Sequence, residues 1–196
     1  DLVGKYSIFG DVMSYIIESN IWTTTGINLV LWLPQNRVVT QLLWGNNWIN
    51  VGSPGFWTIW TNQSLAIDGN WTPYVAYSDN ANWSKTTVMK YNGSSWVNVW
   101  GAWFSAWAAY EQSLAIDWSG TPYVAYRDSA NSNKTTVMKY NGSSWVNVWS
   151  AWFSAWEASY QSLAIDWSWI PYVAYRDRAN SNKTTVMKYN GSSRVN

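Results

Sequence analysis

Histidine and cysteine are absent from this sequence, and each absence removes a class of chemistry. Without histidine, the side chain that most often serves as a general base or metal ligand is missing. Without cysteine, disulfides, thiolate catalysis and zinc–sulfur sites are excluded. The sequence also contains no glycine-rich phosphate loop and no catalytic triad motif. We therefore expect a protein that is not an enzyme and that holds no metal and no cofactor.

Charged residues and long apolar runs are also scarce. Charged side chains make up 12% of the 196 residues, and the formal net charge is +1. Such a balance gives no electrostatic attraction to nucleic acid or to an anionic membrane surface. No run approaches the ~18 apolar residues of a membrane span, and we find no signal-peptide pattern in this chain. Neither a nucleic-acid partner nor a membrane span is expected.

Aromatic residues are plentiful instead. The chain carries 19 tryptophans and 13 tyrosines, and serine, threonine, asparagine and glycine supply most of its polarity. Aromatic residues favour strands, and the small polar residues favour tight turns. This composition therefore predicts short strands rather than helices.

An internal repeat organises the chain. The segment SLAID begins at Ser64, Ser113 and Ser162, at a constant spacing of 49 residues, and a degenerate copy begins at Ser14. We interpret residues 1–196 as a single repeat domain. Its repeats span 14–63, 64–112, 113–161 and 162–196, with 1–13 completing the last repeat.

Each repeat predicts four short antiparallel strands, at SLAID, PYVAY, KTTVMKY and WVNV. An Asn-Gly pair at Asn92, Asn141 and Asn190 predicts a type I′ hairpin before the last strand. Four such strands in a repeat of this length are typical of a β-propeller blade. We therefore expect an all-β propeller of about four blades. The ring closes either within the chain or by homo-oligomerisation, for example as an eight-bladed dimer, and an open array is the alternative.

The repeat resembles those of bacterial β-propeller proteins. The run PYVAYRD…KTTVMKYNGSSW is similar in layout to NHL-type blades and to propeller lectins such as the fucose-binding family. The resemblance covers residues 14–196 and lies in strand layout and turn chemistry. It implies a propeller fold, and no ligand-contact residue is carried over from either family.

Eight tryptophans occupy positions where a sister repeat has glycine. Trp71 and Trp169 match Gly120, and Trp118 and Trp167 match Gly69. The remaining pairs are Trp100 and Trp149, which match Gly52, and Trp103 and Trp152, which match Gly55. Glycine serves turns with positive φ, whereas indole adds bulk and a Cβ. Either an aromatic rim was selected to stack on ligands, or UGA codons for glycine are written as tryptophan.

If the tryptophans are present as written, they affect the tendency of the protein to associate. Loops such as WSAWFSAW would then present apolar patches, which usually mark binding or association surfaces. We expect a self-associating protein in that case. By contrast, Trp48, Trp96 and Trp145 share one position after the NGSS-type turn and are predicted to pack within the blades.

Tyrosines and arginines of the second strand are the candidate ligand-binding residues. Paired tyrosines three positions apart would lie on opposite faces of the sheet, so blade packing accounts for at least one of each pair. The candidates are Tyr74, Tyr77, Tyr123, Tyr126, Tyr172, Tyr175, Arg127 and Arg176.

Aspartates that follow the first and second strands are predicted to serve turns. Asp68, Asp117 and Asp166 end the first strand, where a ring of carboxylates could hold a cation. An Asx-turn, in which the carboxylate accepts hydrogen bonds from the next backbone N–H groups, is the favoured interpretation. Asp79, Asp128 and Asp177 close the second strand and are interpreted in the same way.

Our leading functional hypothesis is a non-enzymatic, bacterial, multivalent binding module that recognises glycans and is secreted or displayed at the cell surface. The alternative is a structural or protein-interaction scaffold without a small ligand, either naturally amplified or designed. A hydrolase whose carboxylates converge from different blades is a third interpretation. It is weakened by the lack of histidine.

Overall fold

The computed structural model describes residues 48–55 and 62–191 with their side chains, together with the backbone of the strands outside those ranges. The chain forms two compact units, Asp1–Ile49 and Asn50–Asn196. Its strands are β1 (Val3–Phe9), β2 (Val12–Glu18), β3 (Val30–Leu33), β4 (Arg37–Thr40), β5 (Ser64–Ile67), β6 (Pro73–Asp79), β7 (Lys85–Tyr91), β8 (Trp96–Asn98), β9 (Ala109–Ile116), β10 (Pro122–Asp128), β11 (Lys134–Tyr140), β12 (Trp145–Asn147), β13 (Ala158–Ile165), β14 (Pro171–Asp177), β15 (Lys183–Tyr189) and β16 (Arg194–Val195).

The first unit contains two antiparallel hairpins. Strand β1 pairs with β2, and β3 pairs with β4. Strand β1 lies within residues 1–13, and the completion of the last repeat by this segment stays a prediction. The hydrolase interpretation would need asymmetric residues in the degenerate first repeat, and the side chains of its candidates, Glu18, Asn36 and Arg37, lie outside the described residues.

The second unit consists of three four-stranded antiparallel sheets that repeat one another. We name them blade A (β5–β8), blade B (β9–β12) and blade C (β13–β16), and in each the strands lie in chain order. Strand β9 contacts β5 on one side and β13 on the other, so the first strands of neighbouring blades are adjacent. This confirms an all-β repeat fold with propeller-like blades. Ring closure and the total number of blades stay predictions.

The blades are held together by apolar residues from both faces of each sheet. Between blades A and B, Val88 of one sheet meets Leu114 and Tyr126 of the next in one buried cluster. Between blades B and C, Tyr123 and Val173 belong to the corresponding cluster. Because successive side chains of a strand point to opposite faces, one strand serves two interfaces.

The tryptophan after the fourth-strand turn packs as predicted in two of its three described copies. The Trp145 ring stacks on Phe104 with centroids 4.1 Å apart, and its Nε1 donates to the Val99 carbonyl at 3.2 Å. Trp96 donates in the same way to Val51, at 2.9 Å. Trp48 is instead fully exposed, so the prediction that it packs within a blade is wrong.

Two local details differ from the sequence-based expectation. The first strand of blades B and C starts four residues before SLAID, at Ala109 and Ala158, through a bulge at Glu111 (φ 55°) and Tyr160 (φ 57°). A bulge adds an unpaired residue and breaks the alternation that was used to place the strand.

The predicted hairpin between the third and fourth strands is confirmed, but its predicted type I′ turn is wrong. Gly93 has a φ of 97°, but Asn92 does not have a positive φ, which a type I′ turn requires at both central residues. The loop instead spans four residues, because Tyr91 pairs with Trp96 and the Asn92 amide donates to the Ser95 carbonyl. The Asn92 side chain accepts hydrogen bonds from the backbone of Ser94 and Ser95, which stabilises this wider loop.

Three short 3₁₀ turns connect the second and third strands. They span Asn80–Asn82, Ser129–Asn131 and Arg178–Asn180. No helix in the described part of the chain is long and apolar enough to cross a membrane.

Candidate functional site: the inter-blade clefts

Two open clefts of nearly equal size lie at equivalent places between neighbouring blades. The cleft between blades A and B has a volume of about 720 Å³, and that between blades B and C about 690 Å³. We call them cleft AB and cleft BC. Each is formed by the turn after the first strand and the loop after the third strand of one blade, closed by the first turn of the next blade.

The residues that line the two clefts correspond position by position. Each cleft contains an aspartate, a Thr-Pro-Tyr run and a Lys-Tyr-Asn-Gly run from one blade. In cleft AB these are Asp68, Thr72, Pro73, Tyr74, Lys90, Tyr91, Asn92 and Gly93. In cleft BC they are Asp117, Thr121, Pro122, Tyr123, Lys139, Tyr140, Asn141 and Gly142.

The residue contributed by the next blade differs between the clefts. Gly120 borders cleft AB, whereas Trp169 borders cleft BC. These two residues occupy the same repeat position. The turn of the first blade in each cleft also differs, because cleft AB has Asn70 and Trp71 where cleft BC has Ser119 and Gly120.

The aspartates of the first turn are committed to backbone hydrogen bonds. Asp117 Oδ1 accepts from the amides of Ser119 and Thr121, each at 2.9 Å. Asp68 makes the equivalent bonds to Asn70 and Thr72, also at 2.9 Å. Asp166 repeats the arrangement in blade C. The Asx-turn interpretation is therefore confirmed for all three.

The aspartates that close the second strand also serve turns. The side chains of Asp79, Asp128 and Asp177 each accept a hydrogen bond from a backbone amide two residues on, which caps the 3₁₀ turn. Among the described residues, no group of three or more acidic side chains is placed to hold a metal ion.

The first tyrosine of each pair forms the floor of a cleft. Tyr74 and Tyr123 are buried, and the Tyr74 hydroxyl donates to Asp68 Oδ2 at 3.4 Å. Burial, the charge of Asp117 and a hydrogen bond to it raise the pKa of Tyr123, and Asp68 acts in the same way on Tyr74. The ammonium of Lys139 lies 5.9 Å from the centre of the Tyr123 ring, within cation–π range. Tyr172 occupies the same repeat position in blade C, where it is half-buried.

The second tyrosine of each pair lies away from the cleft of its own blade, with Tyr126 in the apolar cluster between blades A and B and Tyr175 in that between blades B and C. The hydroxyls of Tyr126 and Tyr175 contact the sulfurs of Met138 and Met187 at 3.2 and 3.1 Å, and Tyr77 contacts Met89 in the same way. The expectation that the paired tyrosines lie on opposite faces is confirmed, because Tyr123 and Tyr126 belong to different buried clusters.

The candidate arginines lie at the far end of the second strand from the cleft. Arg127 pairs in register with Tyr110 near the start of β9, whereas Tyr123 pairs with Ala115 near its end. The Arg127 guanidinium forms ion pairs at 3.5 Å with Glu111 and with Glu157 of the loop before blade C. Arg176 is exposed. The structure therefore does not bring the arginines together with the cleft tyrosines.

The cleft lysines were not among the residues selected from the sequence. Lys90 and Lys139 end the KTTVMKY strand, where their repeat position looks like that of any surface lysine. Their alternation with the half-buried Met89 and Met138 along the strand was the available signal, but only the packing of the blades shows that they face a cleft.

The fold and the clefts define a class: an all-β repeat protein whose propeller-like blades enclose equivalent grooves. No protein-family model matches the chain, and no curated protein matches it. Among solved structures, a fucose lectin from Kordia zhangzhouensis, determined in complex with methyl-fucoside, is similar with a TM-score of 0.46 and 13% identity. The match covers 68% of this chain and 96% of the lectin chain. Similarity at this level carries no information on the ligand of this chain.

Proposed function

We propose that this protein is a non-enzymatic binding module that holds glycans in its repeated inter-blade clefts. The observation that carries the proposal is the equivalence of clefts AB and BC, which present the same polar groups around a tyrosine in the same places. A site that recurs with the repeat supplies several weak binding events in one molecule, and these combine into avidity.

The chemistry of the cleft walls suits a sugar. A pyranose offers hydroxyl groups around its edge and an apolar face. The clefts offer a lysine ammonium, an asparagine side chain, threonine hydroxyls and the ring edges of Tyr91 or Tyr140. A small number of fixed polar groups among apolar ones is the usual make-up of a small-molecule site. Because the aspartate oxygens already accept backbone hydrogen bonds, the carboxylates hold the turn rather than act on a substrate.

Glycan-array binding of matched lysine variants tests this proposal. We expect the double variant Lys90→Met, Lys139→Met to lose binding by about tenfold or more, since each charged hydrogen bond to a ligand contributes ~1.5–3 kcal/mol. The control is Lys85→Met, Lys134→Met, which removes two lysines from the other ends of the same strands, outside the clefts.

The circular dichroism spectra and melting temperatures of both variants establish that they are folded. Binding that is unchanged in the cleft variant would move the site away from the clefts. A folded wild-type protein that binds no glycan would favour the protein-interaction scaffold instead.

A further inference from the structure

We infer that the native chain carries glycine, and not tryptophan, at positions 71, 100, 103, 152 and 169, and that neither cleft AB nor cleft BC therefore has an indole in its walls at positions 71 and 169 in the native protein. The five positions share two independent features. Each has glycine in a sister repeat, and each has a positive φ, at 63°, 58°, 61°, 57° and 60° respectively.

The sister glycines have the same backbone conformation. Gly120 has a φ of 83°, Gly52 of 74° and Gly55 of 65°. A side chain with a Cβ reaches this left-handed region only at a cost of roughly 1–2 kcal/mol, and glycine reaches it freely. The backbone of the fold thus favours glycine where the written sequence places the bulkiest residue.

Hydrogen bonds fix the positive φ at the first turn. The amides of Trp71, Gly120 and Trp169 donate to the carbonyls of Asp68, Asp117 and Asp166 at 2.9 to 3.0 Å. The aspartate side chain then binds the next amide, as at Thr72 and Ile170. A turn held from both sides cannot relax to negative φ without losing these bonds, so the strain is built into the fold.

The loop before each blade is fixed in the same way. The Trp103 amide donates to Thr87 Oγ1 at 3.2 Å, and the next amide, of Phe104, donates to the Thr86 carbonyl at 3.2 Å. Trp152 and Phe153 repeat both bonds, with Thr136 and Thr135. The same geometry therefore recurs in blades A and B.

Position 100 adds a steric argument. A Cβ at the sister residue Gly52 would lie 2.9 Å from the Tyr91 ring and 3.3 Å from the Trp96 ring, too close for an ordinary contact. Three of the eight exchanged tryptophans, Trp118, Trp149 and Trp167, do not have a positive φ, and the inference does not include them. At Trp149 a neighbouring contact also differs, because position 194, whose counterpart Trp145 donates to the Val99 carbonyl, is arginine.

A single coding event explains all five positions. UGA is read as tryptophan in some genetic codes and as glycine in others, so glycine codons translated under the wrong table would give this pattern. Trp83 also has a positive φ, of 60°, but its counterparts Ser132 and Ser181 are not glycine, and the inference does not include it.

The consequence for the site is direct. With glycine at 71 and 169, each cleft has glycine at both of these wall positions and presents no indole there, while Asn70 of cleft AB still differs from Ser119 of cleft BC. The exposed Trp71 and Trp169 rings are then not platforms for sugar stacking. This holds whether or not the clefts bind glycans.

The gene and the protein isolated from its source provide the first test. We expect UGA at the five codons and glycine at the five positions in tryptic peptides measured by mass spectrometry. A UGG codon at any of the five, or tryptophan in the corresponding peptide, overturns the inference.

A comparison of two synthetic chains tests the backbone argument separately. One carries glycine at the five positions and the other alanine, so both lack the indoles and differ only in the Cβ. Glycine normally destabilises relative to alanine, whereas here we expect the glycine chain to melt higher by roughly 5–15 °C. A glycine chain that melts at or below the alanine chain also overturns the inference.

Discussion

Several side chains in this fold already form hydrogen bonds with the backbone or pack in the core in the absence of a ligand. The aspartate turns and the tyrosine–methionine contacts recur in every described blade. Two predictions follow from these commitments at the scale of the residue.

Tyr77 makes the stability of blade A sensitive to alkaline pH. Burial, followed by the charge of Asp79, raises its pKa from 10.0 to about 12. Below pH 10 the phenol is protonated in both the folded and unfolded states, so its contribution to stability is complete. Between pH 10 and 12 only the unfolded state loses the proton, and stability falls as pH rises. We expect Tyr77→Phe to reduce this loss, measured as melting temperature against pH.

Wild-type and Tyr77→Phe curves that stay parallel up to pH 12 would contradict the prediction. Tyr91→Phe is the control, since Tyr91 is a half-buried tyrosine of the same blade.

Substitutions of Asp117 distinguish a structural role in the turn from a role in ligand binding. Its Oδ1 accepts two backbone amides and the Ser119 hydroxyl, at 2.6 to 2.9 Å. We expect Asp117→Ala to lower the free energy of unfolding by about 1–3 kcal/mol, because the two amides and the Ser119 hydroxyl lose a charged acceptor. Asp117→Asn keeps the acceptor oxygen and is expected to cost less than about 1 kcal/mol. Urea denaturation measures both, and equal losses in the two variants would contradict the turn role.

At the scale of the element, the fourth strand begins with a tryptophan that packs against the neighbouring blade in blade B, and with an arginine in blade C. Between blades A and B, Trp145 packs on Phe104 beside Val99 and Tyr140. The matching residues Phe153, Val148 and Tyr189 instead line a small, partly open apolar cavity of about 40 Å³ between blades B and C. The residue at that repeat position of blade C is Arg194.

We therefore expect Arg194→Trp to stabilise the protein by roughly 1–3 kcal/mol, because a buried indole removes about 150–250 Å² from water. The reciprocal change Trp145→Leu is expected to cost about 2–4 kcal/mol. Equilibrium denaturation measures both changes. Arg194→Lys, which brings no aromatic ring, is the control. No gain from Arg194→Trp would mean that the cavity does not accept the ring.

At the scale of the whole molecule, exposed indoles set the tendency to associate. Trp118 and Trp167 stack on one another with ring centroids 4.4 Å apart, yet 62% and 79% of their surfaces remain exposed. Contiguous apolar surface of this kind promotes association.

We expect the chain as written to form oligomers whose mass rises with concentration in light scattering. The double variant Trp118→Gly, Trp167→Gly should shift the distribution towards the monomer. Trp145→Phe serves as a control, because Trp145 is buried. A monomeric chain as written at high concentration would contradict the prediction.

The sequence by itself determined the repeat, the four strands of each blade and the aspartate turns, because these depend on local periodicity and on hydrogen bonds between residues two to four apart. It also placed the paired tyrosines on opposite sheet faces, since alternation along a strand is local. It failed at the β-bulges of Glu111 and Tyr160 and at the Asn92 loop, where an unpaired residue or a side-chain hydrogen bond overrides the pattern.

Only the tertiary structure decided which of two similar tyrosines faces a cleft. Tyr123 borders cleft BC and Tyr126 lies in the core because each blade has a different neighbour on each face. The tertiary structure also shows that Arg127 lies away from the clefts and that Lys139 lines one of them. These two positions depend on which strand ends meet between neighbouring blades, and that packing is established by residues far apart in sequence.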